Sequence, residues 1–234
     1  MEDKKIQLVA SYTDTIPGRI IRLRAALQFW KKYSGADYSH ISISTDAKLG
    51  EMMSFSRKEI KNPFNSGLVK EDIRKGMFAL KPDISKIAVM ELKVTSEQYD
   101  KISKAMNSYW DNKEQYSYNF LGLITMLLYA RGTNRKNKFF CSQWVATILQ
   151  ECGIDIFNGK SPKNITPFDF YGALKNSIVY EGLATDYPKC NANKVEFDKT
   201  YYIEDNDINK SAQYYDEHQF TNDWRYLNAR PQNA

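Results

Sequence analysis

The chain has 234 residues, 42% of them hydrophobic, 14% aromatic and 26% charged, with a formal net charge of +5. That composition supplies a core for one substantial domain and excludes a chain that is disordered throughout. The three cysteines, at positions 141, 152 and 190, match no zinc-ligand spacing and contain no C-x-x-C pair, so neither a metal site nor a disulfide framework is expected.

Charge is unevenly spread. From Val195 to the end there are eight acidic and four basic residues, so the preceding 194 carry a net +9. The reading that follows is a domain over 1–194 and an acidic, aromatic-containing tail over 195–234. The opening residues, Met1 to Lys5, lead straight into a strand-like pattern and lack the long apolar core of a signal peptide. The most apolar stretch, Phe120 to Ala130, is about half of the roughly 20 residues that span a bilayer. No transmembrane segment and a cytoplasmic location are therefore expected, with the thiols free.

Taken in chain order, Ile6 to Tyr12 alternates apolar and polar residues and predicts a strand. Pro17 opens a helix through Ile20, Leu23, Leu27 and Trp30, which Gly35 terminates. His40 to Ser44 and Glu51 to Ser56 read as the two strands of a hairpin around a polar turn. The stretch from Asn62 to Gly67 reads as a loop, and further strands are expected over Met77 to Leu80 and Ile87 to Val94. Thr95-Ser96-Glu97-Gln98 is a capping-box pattern, starting a helix that buries Tyr99, Ile102, Ala105, Met106 and Tyr109. A second helix covers about Tyr118 to Ala130, and a basic loop runs from Arg131 to Lys138. A third helix begins at Cys141 and ends at Cys152-Gly153. Thr166 caps a short helix, and Ile178 to Glu181 returns to the sheet. This order fits an α+β domain with an antiparallel sheet packed against helices.

Cys141 stands at the first turn of its helix, where unpaired backbone N–H groups and the helix dipole favour a negative sulfur. The thiolate is the reactive form of cysteine. A nucleophilic thiol also needs an imidazole within hydrogen-bond reach and a third group to orient that ring. Of the two histidines, His218 lies in the polar tail, whereas His40 opens a strand whose other face carries Ile41 and Ile43. The neighbouring strand offers Ser54 or Glu51 as the orienting group. These lie on opposite faces by parity. Glu51 is the better chemical partner, and Ser54 is preferred on geometry, provided Met53 and Phe55 share the core with Ile41 and Ile43. Cys141 and Cys152 lie roughly 16 Å apart along one helix and cannot bridge.

The succession of Tyr38-Ser39-His40-Ile41-Ser42-Ile43, a hairpin, Tyr116-Ser117-Tyr118-Asn119-Phe120 and Phe140-Cys141-Ser142-Gln143-Trp144-Val145 resembles the circularly permuted NlpC/P60 hydrolases. These are the YiiX/YaeF-like branch of the papain-like superfamily, in which the histidine strand precedes the cysteine helix. The resemblance covers roughly Ile6 to Tyr187. It implies a papain-like fold, Cys141 as nucleophile and His40 as base. The third residue of that branch is commonly a glutamate near the end of the hairpin's second strand, and the matching place here is Ser54.

The resemblance implies hydrolysis or acyl transfer at an amide, thioester or ester carbonyl. No cofactor or metal is expected, the two histidines lying far apart, and an amide or isopeptide bond of a peptide-like substrate is the first expectation. A lipid acyl ester or thioester is the alternative substrate. A non-catalytic binding protein on the same fold is the rival class, motivated by Ser54 standing where the family has a carboxylate. Arg131, Arg135, Lys136 and Lys138 are too short a basic run, without an aromatic stacking platform, to predict a nucleic-acid partner.

Overall fold

Six strands form one sheet in the order β4-β3-β2-β1-β5-β8, and every neighbouring pair is antiparallel. They are β1 (Lys4–Ser11), β2 (His40–Ser44), β3 (Met52–Arg57), β4 (Ser66–Glu71), β5 (Lys86–Val94) and β8 (Ile178–Leu183). The computed structural model describes residues 3–12, 38–58, 65–80, 82–129 and 131–188. The helix expected from Pro17, the tail over 195–234, Cys190 and His218 lie outside the described residues.

β1 is central and has both faces covered. Its Ile6, Leu8 and Ala10 enter the larger core, while Val9 enters a second core on the other face with Met52, Ile73, Ile87 and Val89. That explains the near-continuous apolar run at 87–90 in β5, where Ala88 and Met90 point one way and Ile87 and Val89 the other. The larger core is closed by helices α2 (Ser96–Asp111) and α4 (Cys141–Glu151), and by α5 (Pro167–Ala173) through Phe170.

Three of the helices start where a side chain replaces a missing backbone partner. Thr95 accepts from the Gln98 N–H at 3.1 Å, and the Gln98 side chain accepts from the Thr95 N–H at 3.1 Å. Thr166 and Asp169 repeat this device at α5. Asn119 accepts from the Gly122 N–H at 2.9 Å and starts α3 (Phe120–Tyr129). The two-residue strands β6 (Ser117–Tyr118) and β7 (Lys138–Phe139) pair in parallel and deliver the chain to the start of α4.

Two stretches differ from the sequence expectation. Ser66–Glu71 is a strand pairing with β3, and only its first residues fall in the expected loop. Met77 to Leu80, expected as a strand, falls in the short helix α1 (Gly76–Leu80). Among the described residues, no helix is long and apolar enough to cross a membrane.

Candidate active site

α4 positions the cysteine. Cys141, Trp144, Val145 and Ile148 recur at helical spacing and are all buried in the larger core with Ile41, Ile43, Met53 and Phe55. Trp144 is the anchor. Its ring lies 5.7 Å from Phe55 of β3 and 5.7 Å, edge-on, from Tyr109 of α2. Cys141 is the first residue of α4 and Phe140 its N-cap. The first intrahelical bond runs from the Trp144 N–H to the Phe140 carbonyl at 3.0 Å. The N–H groups of Cys141, Ser142 and Gln143 therefore stand outside the helix's own ladder. The first turn is held by Ser142, which donates to the Ile165 carbonyl at 2.7 Å.

β2 positions the histidine. His40 is its first residue, is buried, and its backbone is registered against Ser11 of β1. The imidazole Nε2 lies 3.1 Å from Glu71 Oε1 and 3.4 Å from Oε2. The Ser42 hydroxyl lies 3.3 Å from the same nitrogen and donates to Glu71 Oε2 at 2.5 Å. Ser54 donates to Glu71 Oε1 at 2.9 Å. Glu71 is thus a buried carboxylate with three polar partners, drawn from β2 and β3.

The carboxylate that contacts His40 comes from β4, a strand that the sequence pattern does not mark. Ile41, Ile43, Met53 and Phe55 do share one core, so the parity argument for Ser54 holds. Ser54, however, bonds Glu71, and Glu71 carries the contact to His40. Glu51 plays no part in the cluster: it is exposed and its carboxylate pairs with Lys70 at 2.8 Å. The register of β4 on β3 sets Glu71 beside Met52, one step along the diagonal from Ser54. The turn after Glu71 is pinned by Asp72, which accepts from Arg74 Nε and Nη2 at 2.7 Å each.

The electrostatics follow from burial and pairing. Burial alone lowers the His40 pKa, but the Glu71 charge, hydrogen bonds with Cys141 and Glu71 and the Cys141 charge outweigh it and push the imidazole up from 6.5 to about 10. Burial alone raises Glu71, yet the His40 charge and the hydrogen bonds from His40, Ser42 and Ser54 hold it below its ordinary 4.5. The ring is thus biased toward its imidazolium form, facing a carboxylate through Nε2 with the Cys141 sulfur also acting on it.

Tyr118 is a second residue that sequence reasoning did not assign to the site. Its backbone pairs with Phe139, two residues before Cys141, and burial and the Cys141 charge raise its phenol well above 10. Tyr38, just before the histidine strand, is buried and donates to Glu181 at 2.8 Å. Cys152 is the buried C-cap of α4, where burial, then the Glu151 charge, raise its thiol. Among the described residues no group of three or more His, Cys, Asp or Glu side chains is arranged to hold a metal ion. Compared with known proteins, the chain matches no family model, no curated protein and no solved structure.

Proposed function

We propose that this chain is a thiol hydrolase or acyltransferase in which Cys141 is the nucleophile, His40 the acid–base group and Glu71 the residue that orients and charges the ring. The observation that carries the reading is the buried His40–Glu71 pair at 3.1 Å, within reach of a cysteine at the start of a helix. With Nε2 held by Glu71, Nδ1 is the ring nitrogen left for the sulfur. The arrangement resembles the permuted NlpC/P60 branch of the papain-like superfamily in chain order. Glu71 supplies the carboxylate that Ser54 lacks, so the motive for a non-catalytic reading falls away.

In the reaction, the Cys141 thiolate attacks a carbonyl carbon and the carbonyl electron pair moves to oxygen. The Cys141 backbone N–H stands where it can donate to that oxyanion. His40 gives its proton to the departing amine, alcohol or thiol as the carbon–heteroatom bond breaks, leaving an acyl thioester on Cys141. A water or other acceptor then gives a proton to the neutral His40 as it attacks the thioester. The acid or transfer product leaves, and the thiolate–imidazolium pair is restored. Glu71 keeps its charge throughout.

The preferred bond is an amide or isopeptide in a peptide-like substrate. A lipid acyl ester or thioester is the second reading, favoured by the apolar side chains exposed on α3 beside the site. An activated acyl ester such as p-nitrophenyl acetate tests the shared chemistry. Wild-type protein gains one acetyl mass on the peptide containing Cys141, and Cys141→Ala gains none. Equal acetylation of other residues in both proteins would contradict the assignment.

A further inference from the structure

α3 buries one side and leaves the other in solvent. Leu123 and Met126 pack on Phe140 and Phe168. Leu121, Ile124 and Leu128, at helical spacing on the opposite side, are 50%, 50% and 61% exposed. These three side chains form an apolar ridge in water on a ten-residue helix that contains no charged residue. Isolated exposed leucines need no explanation, but a contiguous ridge marks an interaction surface.

The ridge is flanked by uncompensated positive charge. From Gln115 to Gln150 the sequence contains no Asp or Glu. Arg131, Arg135 and Lys136 follow α3 directly and are exposed, and among the described residues none forms an ion pair. The loop that carries them is fixed. Asn119 donates to the Thr133 carbonyl at 2.9 Å, Gln143 donates to Asn134 at 3.4 Å, and Gly132 donates to Asn164 at 2.9 Å. Gly132 is packed so closely that a Cβ there would lie 1.9 Å from the Lys163 carbonyl oxygen.

We propose that the α3 ridge and the adjoining basic loop form a docking surface for an anionic lipid bilayer, with Leu121, Ile124 and Leu128 entering the headgroup–acyl boundary and Arg131, Arg135 and Lys136 facing lipid phosphates. Apolar side chains beside unpaired cations are the pattern of a monotopic interfacial contact. A nucleic acid would use the cations and leave the ridge in water, and a second copy of this chain would set the two sets of cations against each other. The surface is coupled to the proposed site. Asn119 starts α3 and also donates to Gln143 of α4 at 3.2 Å, and Phe140, under α3, immediately precedes Cys141. This deepens the thiol-enzyme reading by placing its substrate carbonyl at a lipid interface. It rests on that reading only for what the docked protein does.

The test is co-sedimentation of the full chain with phosphatidylcholine vesicles, with and without phosphatidylglycerol. Three cations at about 1 kcal/mol each predict roughly hundredfold tighter binding to the anionic vesicles. The triple variant Leu121→Ser, Ile124→Ser, Leu128→Ser and the triple variant Arg131→Gln, Arg135→Gln, Lys136→Gln each lose most of it, with unchanged melting temperatures. Cys141→Ala binds like wild type, so failure of the catalytic reading and failure of docking are told apart. Three results would overturn the proposal: equal binding to both vesicle types or to neither, oligonucleotide binding that the serine variant leaves intact without any vesicle binding, or a dimer in solution that the serine variant dissociates.

Discussion

Replacing Glu71 by Gln removes the charge opposite His40 while keeping the shape of the side chain. Pairing holds His40 at about 10 against the ordinary 6.5 of a solvated ring, a difference equivalent to no more than about 5 kcal/mol. Removing one member of a buried ion pair costs about 3–5 kcal/mol by a separate route, because the other charge is stranded. The sign is set by the direction of each pKa. His40, raised, contributes stability that is complete below 6.5 and disappears as pH climbs through about 10. Glu71, lowered, contributes stability that is present above 4.5 and disappears as pH falls through its folded value. Both report one interaction and do not add. Glu71→Gln is therefore expected to be about 3–5 kcal/mol less stable than wild type near pH 6.5. The gap shrinks steadily as pH climbs from 6.5 toward about 10, because the ring loses the proton that the Glu71 carboxylate stabilises. Urea unfolding of both proteins at matched pH values measures this, and the subtraction cancels titration of the surface. A gap that stays constant from pH 6.5 to 10, or one under about 1 kcal/mol at neutral pH, would refute a charged His40–Glu71 pair.

Other expectations concern the scaffold of the site. Ser54→Ala leaves Glu71 with one donor fewer in a buried setting, so it loses about 1–3 kcal/mol, with p-nitrophenyl acetate turnover reduced but less than in Glu71→Gln. Trp144→Ala empties the contact that seats α4 on Phe55 and Tyr109, and thermal or urea unfolding should show a loss of about 3–5 kcal/mol. Glu51→Gln breaks only the pair with Lys70, whose carboxylate partner is exposed, and changes stability by about 0–1 kcal/mol without altering turnover.

Much of the fold is legible because local signals agree with their partners. The Thr95 and Thr166 caps, the alternation in β1 and β2 and the apolar spacing around Cys141 each specify an element by themselves. The strand that supplies Glu71 carries no such signal. Gly67 weakens its start, the segment is six residues long, and its pairing with β3 is set by contacts that local periodicity does not encode. Strand parity favours Ser54 over Glu51, and Ser54 does lie in the hydrogen-bond cluster around His40 while Glu51 pairs with Lys70. What parity does not reveal is that a long side chain on the next strand reaches across the diagonal. Gly76–Leu80 is too short for its apolar run to distinguish strand from helix, so its identity rests on how Phe78 enters the second core. Tyr118 escaped assignment for a similar reason, because its place near Cys141 depends on the pairing of β6 with β7.

Iodoacetamide alkylation of Cys141 near pH 6, followed by peptide mass mapping in wild type and His40→Ala, bears most directly on the proposed pairing of Cys141 with His40. At that pH an unassisted thiol is almost wholly protonated and slow. Activation of Cys141 by His40 predicts alkylation at least about tenfold faster in wild type than in the variant, with Cys152 slow in both. Equal rates at Cys141 in the two proteins would show that the histidine does not activate the thiol.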